Sequence, residues 1–209
     1  MTGTASAPSL PPSDLNKRSL PIIELDLTTT ELLRIHNRKR GPIFYNSTTA
    51  SKVVFRFDAP AAQYGVLYCA QSFDTCMAET IVRARFENVV LPLVLTESEL
   101  SERSVTAITA DRPGTLKLAD FTVNCLHLGL TGQVMAHPTY GESNAWSLAV
   151  HNHPQTVDGI YFRSRYANAP SIALFEDRVM MVPKEPPTVL PASPHLAPFL
   201  NRFQVELRA

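Results

Sequence analysis

The chain has 209 residues, 44% of them hydrophobic, enough to bury one core, and its 19 basic and 19 acidic side chains cancel to a formal net charge of zero. A nucleic-acid-binding domain carries a basic surplus to neutralise phosphates, which is absent here, and no apolar run approaches the ~20 residues that span a bilayer. The three cysteines, Cys69, Cys76 and Cys125, are odd in number and form no CxxC pair. With no signal-peptide core at the N-terminus, the expectation is a soluble protein of the reducing cytoplasm without a disulfide framework.

Residues 1–20 are rich in Ser, Thr and Pro and predict a mobile tail, leaving 21–209 as a single domain. Residues 32–36 and 53–57 are short, apolar and β-branched, and predict strands. Around the first lies a basic patch, Arg34, Arg38, Lys39 and Arg40, matched in size to a small anionic ligand rather than a long polyanion. Residues 65–70 form a nearly continuous apolar run, as in a central strand buried on both faces. Ser72 is a good N-cap for a helix starting at Phe73, whose buried stripe is Phe73, Cys76, Met77, Thr80, Ile81 and Ala84. Strands are predicted over 91–95 and 115–118, helices over 123–130 and 144–151, then strands over 159–164 and 171–175. The proline-rich run 184–194 predicts an extended surface strap. Strands outnumber helices without alternating regularly with them, which predicts an α+β fold. Neither GxGxxG nor GxxxxGK[ST] occurs, so any nucleotide must be held in another geometry.

Arg34, Arg56, Glu79 and Ser164 are polar residues in or beside predicted strands and helices where core residues would be expected. Singly, each has an ordinary reading. The arginines can face solvent, Glu79 can pair with Arg83 one helical turn on, and Ser164 can end a strand. As a set they are more pointed. A buried strand bearing Tyr68, followed at once by a helix bearing Glu79, lines one concave site. His151 and His153 lack the paired short spacing of a zinc site, so no metal is expected, and Cys69 and Cys76 read as core.

The stretches Arg56-Phe57-Asp58-Ala59-Pro60, Tyr64 to Ser72 and Ala78-Glu79-Thr80 resemble the first conserved block of the RES-domain family. Asp158 to Arg165, with Ala173-Leu174-Phe175 after it, resembles the second block. Arg34-Ile35-His36 is similar to the arginine-bearing strand that opens that domain, and Trp146 stands where many members carry a helix tryptophan. The likeness runs over about residues 30–180, and the arginine, glutamate and serine that name the family are present in order. It implies an ADP-ribosyltransferase-like fold in which two packed β-sheets with flanking helices clasp NAD⁺. It also implies an enzyme that breaks the nicotinamide–ribose bond, with water or inorganic phosphate as acceptor, as a toxin held in check by an Xre-type antitoxin.

On that reading Glu79, Arg56 and Tyr68 are catalytic, while Arg34, His36, Arg56, Tyr68 and Ser164 bind NAD⁺. Glu79 stabilises the ribose cation, Arg34 and Arg56 hold the pyrophosphate, Tyr68 stacks or reaches a ribose hydroxyl, and Ser164 donates to phosphate or orients the acceptor. Some members carry a glycine-arginine-tryptophan-asparagine block where this chain has Phe55-Arg56-Phe57-Asp58, and some place a tyrosine near His36. Two rival functions are transfer of ADP-ribose to a macromolecule and non-catalytic binding of NAD⁺ or a partner chain. Self-association is open.

Overall fold

In the computed structural model, which describes residues 10–47, 54–83, 93–132, 134 and 139–209, short apolar runs, several of them buried on both faces, make strands the dominant element. These are β1 (Ile22–Asp26), β2 (Leu32–Asn37), β3 (Val66–Ala70), β4 (Val94–Thr96), β5 (Arg103–Ala110), β6 (Thr115–Asp120), β7 (Gly159–Arg163), β8 (Pro170–Phe175), β9 (Met181–Pro183), β10 (Thr188–Val189) and β11 (Glu206–Arg208). Nine share one sheet in the order β1-β6-β7-β8-β3-β2-β5-β10, with β9 also on β5, and β4 pairs with β11 in a small parallel sheet.

The large sheet curls so that its two halves face each other. Leu25, Leu32, Leu67, Ile108, Leu118 and Leu174, each from a different strand, belong to one core that contains almost no helical residue. The two packed layers expected from the sequence are therefore halves of a single hydrogen-bonded sheet. The alternate residues, such as Ala119, Ile160, Phe162 and Phe175, point the other way onto α3 (Gly141–His151), where Trp146 and Val150 are fully buried. On the outside of the other half, Ile35 and Val105 meet α1 (Phe73–Met77) and α4 (Leu196–Arg202), while α2 (Glu97–Ser101) starts at a capping box made by Thr96 and Glu99. Each fully buried leucine in these cores contributes about 1.5–3 kcal/mol.

Several expectations change. Of the tail predicted over 1–20, two residues are anchored: Leu15 and Leu20 are buried, and the His153 ring bonds the carbonyls of Leu15 and Arg18 at 3.2 and 3.0 Å, while Leu10 is exposed. Residues 1–9 lie outside the described residues. Of the strand predicted over 53–57, residue 53 lies outside the described residues and 54–57 form no strand but run into a turn at 56, because side chains rather than a partner strand take up the backbone groups. The helix predicted over 123–130 shrinks to one 3₁₀ turn, Leu126–Leu128. Asp120 and Asn124 capture the N–H groups of Thr122 and Leu126, and Gly129 at φ 81° ends the turn. In the stripe after Ser72, Phe73, Cys76, Met77 and Ile81 are buried, Thr80 is half-buried and Ala84 lies outside the described residues. The strap over 184–194 crosses the β5 edge, where Thr188 and Val189 pair with Val105 and Ser104. Of the strand predicted over 91–95, residues 91 and 92 lie outside the described residues, and β4 begins at Val94.

One junction positions the site. β2 and β3 share a single register pair, Leu33 with Ala70, whereas β2 pairs along its whole length with β5 and β3 along its whole length with β8. Beyond that pair the strands splay. Asn46 bonds Val66 in both directions at 2.8 Å, filling the far end of the gap. Arg34 closes the near end: Nη1 donates to the Tyr68 carbonyl at 2.7 Å and Nη2 to the Phe44 carbonyl at 2.9 Å.

Candidate active site

A cleft of about 1070 Å³, open space at its mouth included, occupies the splay. Arg34, His36, Arg56, Tyr68 and Glu79, five of the six residues singled out from sequence, line it. So do Arg40, Arg83 and Arg103, together with Phe55, Tyr140 and Tyr166. Among the described residues none of the five arginines has a carboxylate partner, and Glu79 is the carboxylate of the lining. Instead, aromatic rings carry three of them: Arg40 over Phe44 at 4.7 Å, Arg83 over Phe55 at 4.4 Å and Arg56 over Tyr140 at 5.7 Å. The cleft is a cationic, aromatic-walled site, suited to a planar anion-bearing ligand.

Glu79 sits on the π-turn Ala78–Val82 that continues α1. A π-turn widens the helix and shifts each residue around its axis relative to an α-turn, and such bulges recur at functional sites. The ordinary i,i+4 ion pair with Arg83 is not made. Arg83 lies on Phe55, and Glu79 is left half-buried facing the cleft.

Arg56 is 8% exposed, and its Nη1 is buried without a hydrogen-bond partner. Burial pulls its pKa below the usual arginine value and Arg165 adds repulsion, while Glu79 opposes both. It stays charged, because the ordinary value is so high. Arg34 also keeps a buried Nε without a partner, although its two Nη atoms are taken by carbonyls. The fork expected to grip phosphate is thus largely committed to the backbone, and Nε is the donor left over.

Tyr68 is half-buried, with its ring in the cleft wall edge-on to Phe55. Its hydroxyl is occupied elsewhere: it donates to Asp58 Oδ1 at 3.0 Å and accepts from the Phe57 N–H at 2.9 Å. Burial and the neighbouring Asp58 push its pKa well above the usual tyrosine value. The ring is available to a ligand and the hydroxyl is not. His36 is buried, with Nε2 3.0 Å from Thr106 Oγ1 and Nδ1 3.2 Å from the Asn37 carbonyl. Burial, with Arg34 and Arg103 adding to it, lowers its pKa and keeps the ring neutral near pH 7. With both nitrogens engaged it serves as wall.

Ser164 does not line this cleft. Its hydroxyl accepts from the N–H groups of Tyr166 and Ala167 at 3.2 and 3.1 Å, closing the β7–β8 turn that carries Tyr166 to the cleft rim. A second hollow behind that turn is lined by Ser164, Arg163 and Arg165. Of the basic patch, Arg34 and Arg40 reach the cleft, whereas Arg38 is exposed and donates to the Ser101 carbonyl at 3.2 Å.

Sequence reasoning passed over Asp58 and Asn144. Asp58, fully buried, accepts from the Phe55 N–H at 2.7 Å, from Asn46 Nδ2 at 2.6 Å and from Tyr68. Burial raises its pKa, and these three donors pull it back. Their signal in the sequence is faint: a polar residue after Arg56-Phe57, and an amide at the start of a predicted helix. Among the described residues no group of three or more His, Cys, Asp or Glu side chains is placed to hold a metal, and no helix is long and apolar enough to cross a membrane.

No curated protein matches the chain. Among solved structures, one chain of the M. tuberculosis MbcT-MbcA toxin-antitoxin complex is similar, with a TM-score of 0.52 and 15% identity over 74% of this chain and 83% of that one. At that identity the likeness concerns the fold, which is the α+β, ADP-ribosyltransferase-like fold expected above. The RES domain model matches residues 31–195, taking in both blocks, the cleft residues and Ser164, and the chain belongs to the RES domain family.

Proposed function

We propose that the chain is an NAD⁺-degrading enzyme that cleaves the nicotinamide–ribose bond, acting as the toxin of a toxin–antitoxin pair. The observation that carries this reading is a cleft lined by five arginines, none with an acidic partner among the described residues, and by one carboxylate, Glu79. A dinucleotide pyrophosphate brings two negative charges, which such a lining offsets, and the leftover buried donors, Arg56 Nη1 and Arg34 Nε, are satisfied by its oxygens. The rings of Phe55, Tyr68 and Tyr140 offer flat faces to its bases.

In the reaction the bond from ribose C1′ to the nicotinamide nitrogen breaks. Its electron pair goes to that nitrogen, which becomes neutral and needs no proton. The ribose gains oxocarbenium character, and the Glu79 carboxylate supplies the opposing charge. An oxygen of water or of inorganic phosphate then bonds C1′, with water giving up its proton to solvent. Family membership and the likeness to a chain of a toxin–antitoxin complex support the toxin role. The partner on this reading is an Xre-type antitoxin, and the compartment is the cytoplasm. Chromatography of NAD⁺ incubated with the protein, with and without phosphate and beside Glu79→Ala, tests it. Nicotinamide from the wild type alone is expected, and the co-product names the acceptor. Intact NAD⁺ throughout overturns the reading, and label found in added macromolecules points to ADP-ribose transfer instead.

A further inference from the structure

The turn that carries Arg56 is held by side chains. The carbonyls of Phe55 and Arg56 both accept from Asn144 Nδ2, at 2.8 and 3.0 Å, and the Phe57 carbonyl accepts from Ser147 Oγ at 2.6 Å. On the other side the N–H groups of Phe55 and Phe57 donate to Asp58 and to the Tyr68 hydroxyl. Tyr140, whose ring lies under the Arg56 guanidinium, precedes Asn144 by one turn, and its carbonyl accepts the Asn144 N–H at 2.8 Å. Residues 140, 144 and 147 fall at the spacing that places side chains on one helix face. One face at the start of α3 thus fixes both the backbone and the side chain of Arg56.

Ordering this much polar chemistry around three residues is costly unless the geometry is used, and the residue it orders is a buried arginine with an N–H left unsatisfied. Asn144 is itself 6% exposed, and its amide spans two carbonyls. We infer that Asn144 is the positioning residue for Arg56: by pinning the Phe55 and Arg56 carbonyls it holds the guanidinium against Tyr140, with the Nη1 donor aimed at a ligand phosphate. This rests on the reading of the cleft as a site for a phosphate-bearing dinucleotide. It assigns Asn144 an effect on ligand only through Arg56, whereas an amide that merely fills the core would act independently of it.

A double-mutant cycle separates the two, with Asn144→Ser and Arg56→Met alone and together. The readouts are ADP affinity by calorimetry and kcat/KM for NAD⁺. With Arg56 present, Asn144→Ser is expected to weaken both by on the order of 10-fold to 100-fold, as for a misplaced binding group. In the Arg56→Met background the further loss is expected to stay under about twofold, since the two sites are coupled. Equal losses in both backgrounds, or no loss in either, overturn the inference. ADP binding by a wild type that leaves NAD⁺ intact sinks the cleavage reading and leaves the cycle to be read from affinity. Failure of the wild type to bind ADP sinks both. If Asn144→Ser does not fold, Ser147→Ala loosens the same turn through the Phe57 carbonyl and takes its place in the cycle.

Discussion

Tyr68→Phe removes one oxygen and leaves the ring in the cleft wall. That oxygen makes two bonds, donating to Asp58 Oδ1 at 3.0 Å and accepting from the Phe57 N–H at 2.9 Å. A bond to a carboxylate contributes about 1.5–3 kcal/mol, and a buried N–H left without an acceptor costs about 1–3 kcal/mol. The two together put the expected destabilisation at about 3 kcal/mol, or roughly 6–12 °C in Tm for a chain of this length. Urea titration followed by circular dichroism measures it, with the midpoint falling and the slope unchanged. Turnover of NAD⁺ per folded molecule, taken at a temperature where both proteins are native, is expected to fall by on the order of 10-fold at most, through the Arg56 turn that the Phe57 N–H helps hold, since the hydroxyl itself is turned away from the ligand. An unchanged midpoint together with a large loss of turnover would refute the argument, because the hydroxyl would then belong to the chemistry.

Glu79→Gln is expected to cut kcat/KM by about 10²–10³ while leaving ADP affinity nearly unchanged; weakened ADP binding with preserved turnover goes against the assignment. In Gly159→Ala the new Cβ meets the Ala173 carbonyl oxygen at 2.1 Å, with Ala173 C and Leu174 Cα at 3.0 Å. Backbone on a paired strand cannot step aside, so a loss of about 3 kcal/mol or more is expected by denaturation, and a wild-type midpoint contradicts it. His36 has a folded pKa below its ordinary value, so the unfolded chain binds more protons as pH falls through about 6.5 and below. Its share of stability is complete above that pH and is lost below it. The fall in stability from pH 7 to pH 5 should be shallower in His36→Gln than in wild type, and parallel curves would count against a neutral buried imidazole.

What could be read from the sequence was what local pattern decides. The β3 run, the Ser72 cap with the helix behind it, and the short apolar runs of β6, β7 and β8 each follow from neighbours in the chain. The cleft wall was legible for the same reason, since Tyr68 and Glu79 are joined by one short turn. The roles were harder to read. Arg34 was expected to spend its fork on phosphate, yet the splay of β2 from β3 leaves carbonyls that claim it. Ser164 was expected in the site, yet its hydroxyl closes a turn with N–H groups two and three residues on. Asn144 reaches a turn nearly ninety residues earlier, and no local pattern reports such a meeting. β5 was missed because its Ser, Thr and Ala residues dilute the alternation that would have announced it.

The parting of β2 from β3 opens a groove within a single sheet, between two neighbouring strands. Groove width is then a matter of how far two neighbouring strands are kept from zipping, and the wedge that keeps them apart is largely the Arg34 side chain. A shorter apolar residue there would do more than delete a charge. It would remove the group that stands in for the missing ladder, and the two strands would be free to compete for each other's unpaired backbone along the floor of the groove. Shape and charge at this site are therefore set by the same side chain, and neither can be changed there without the other.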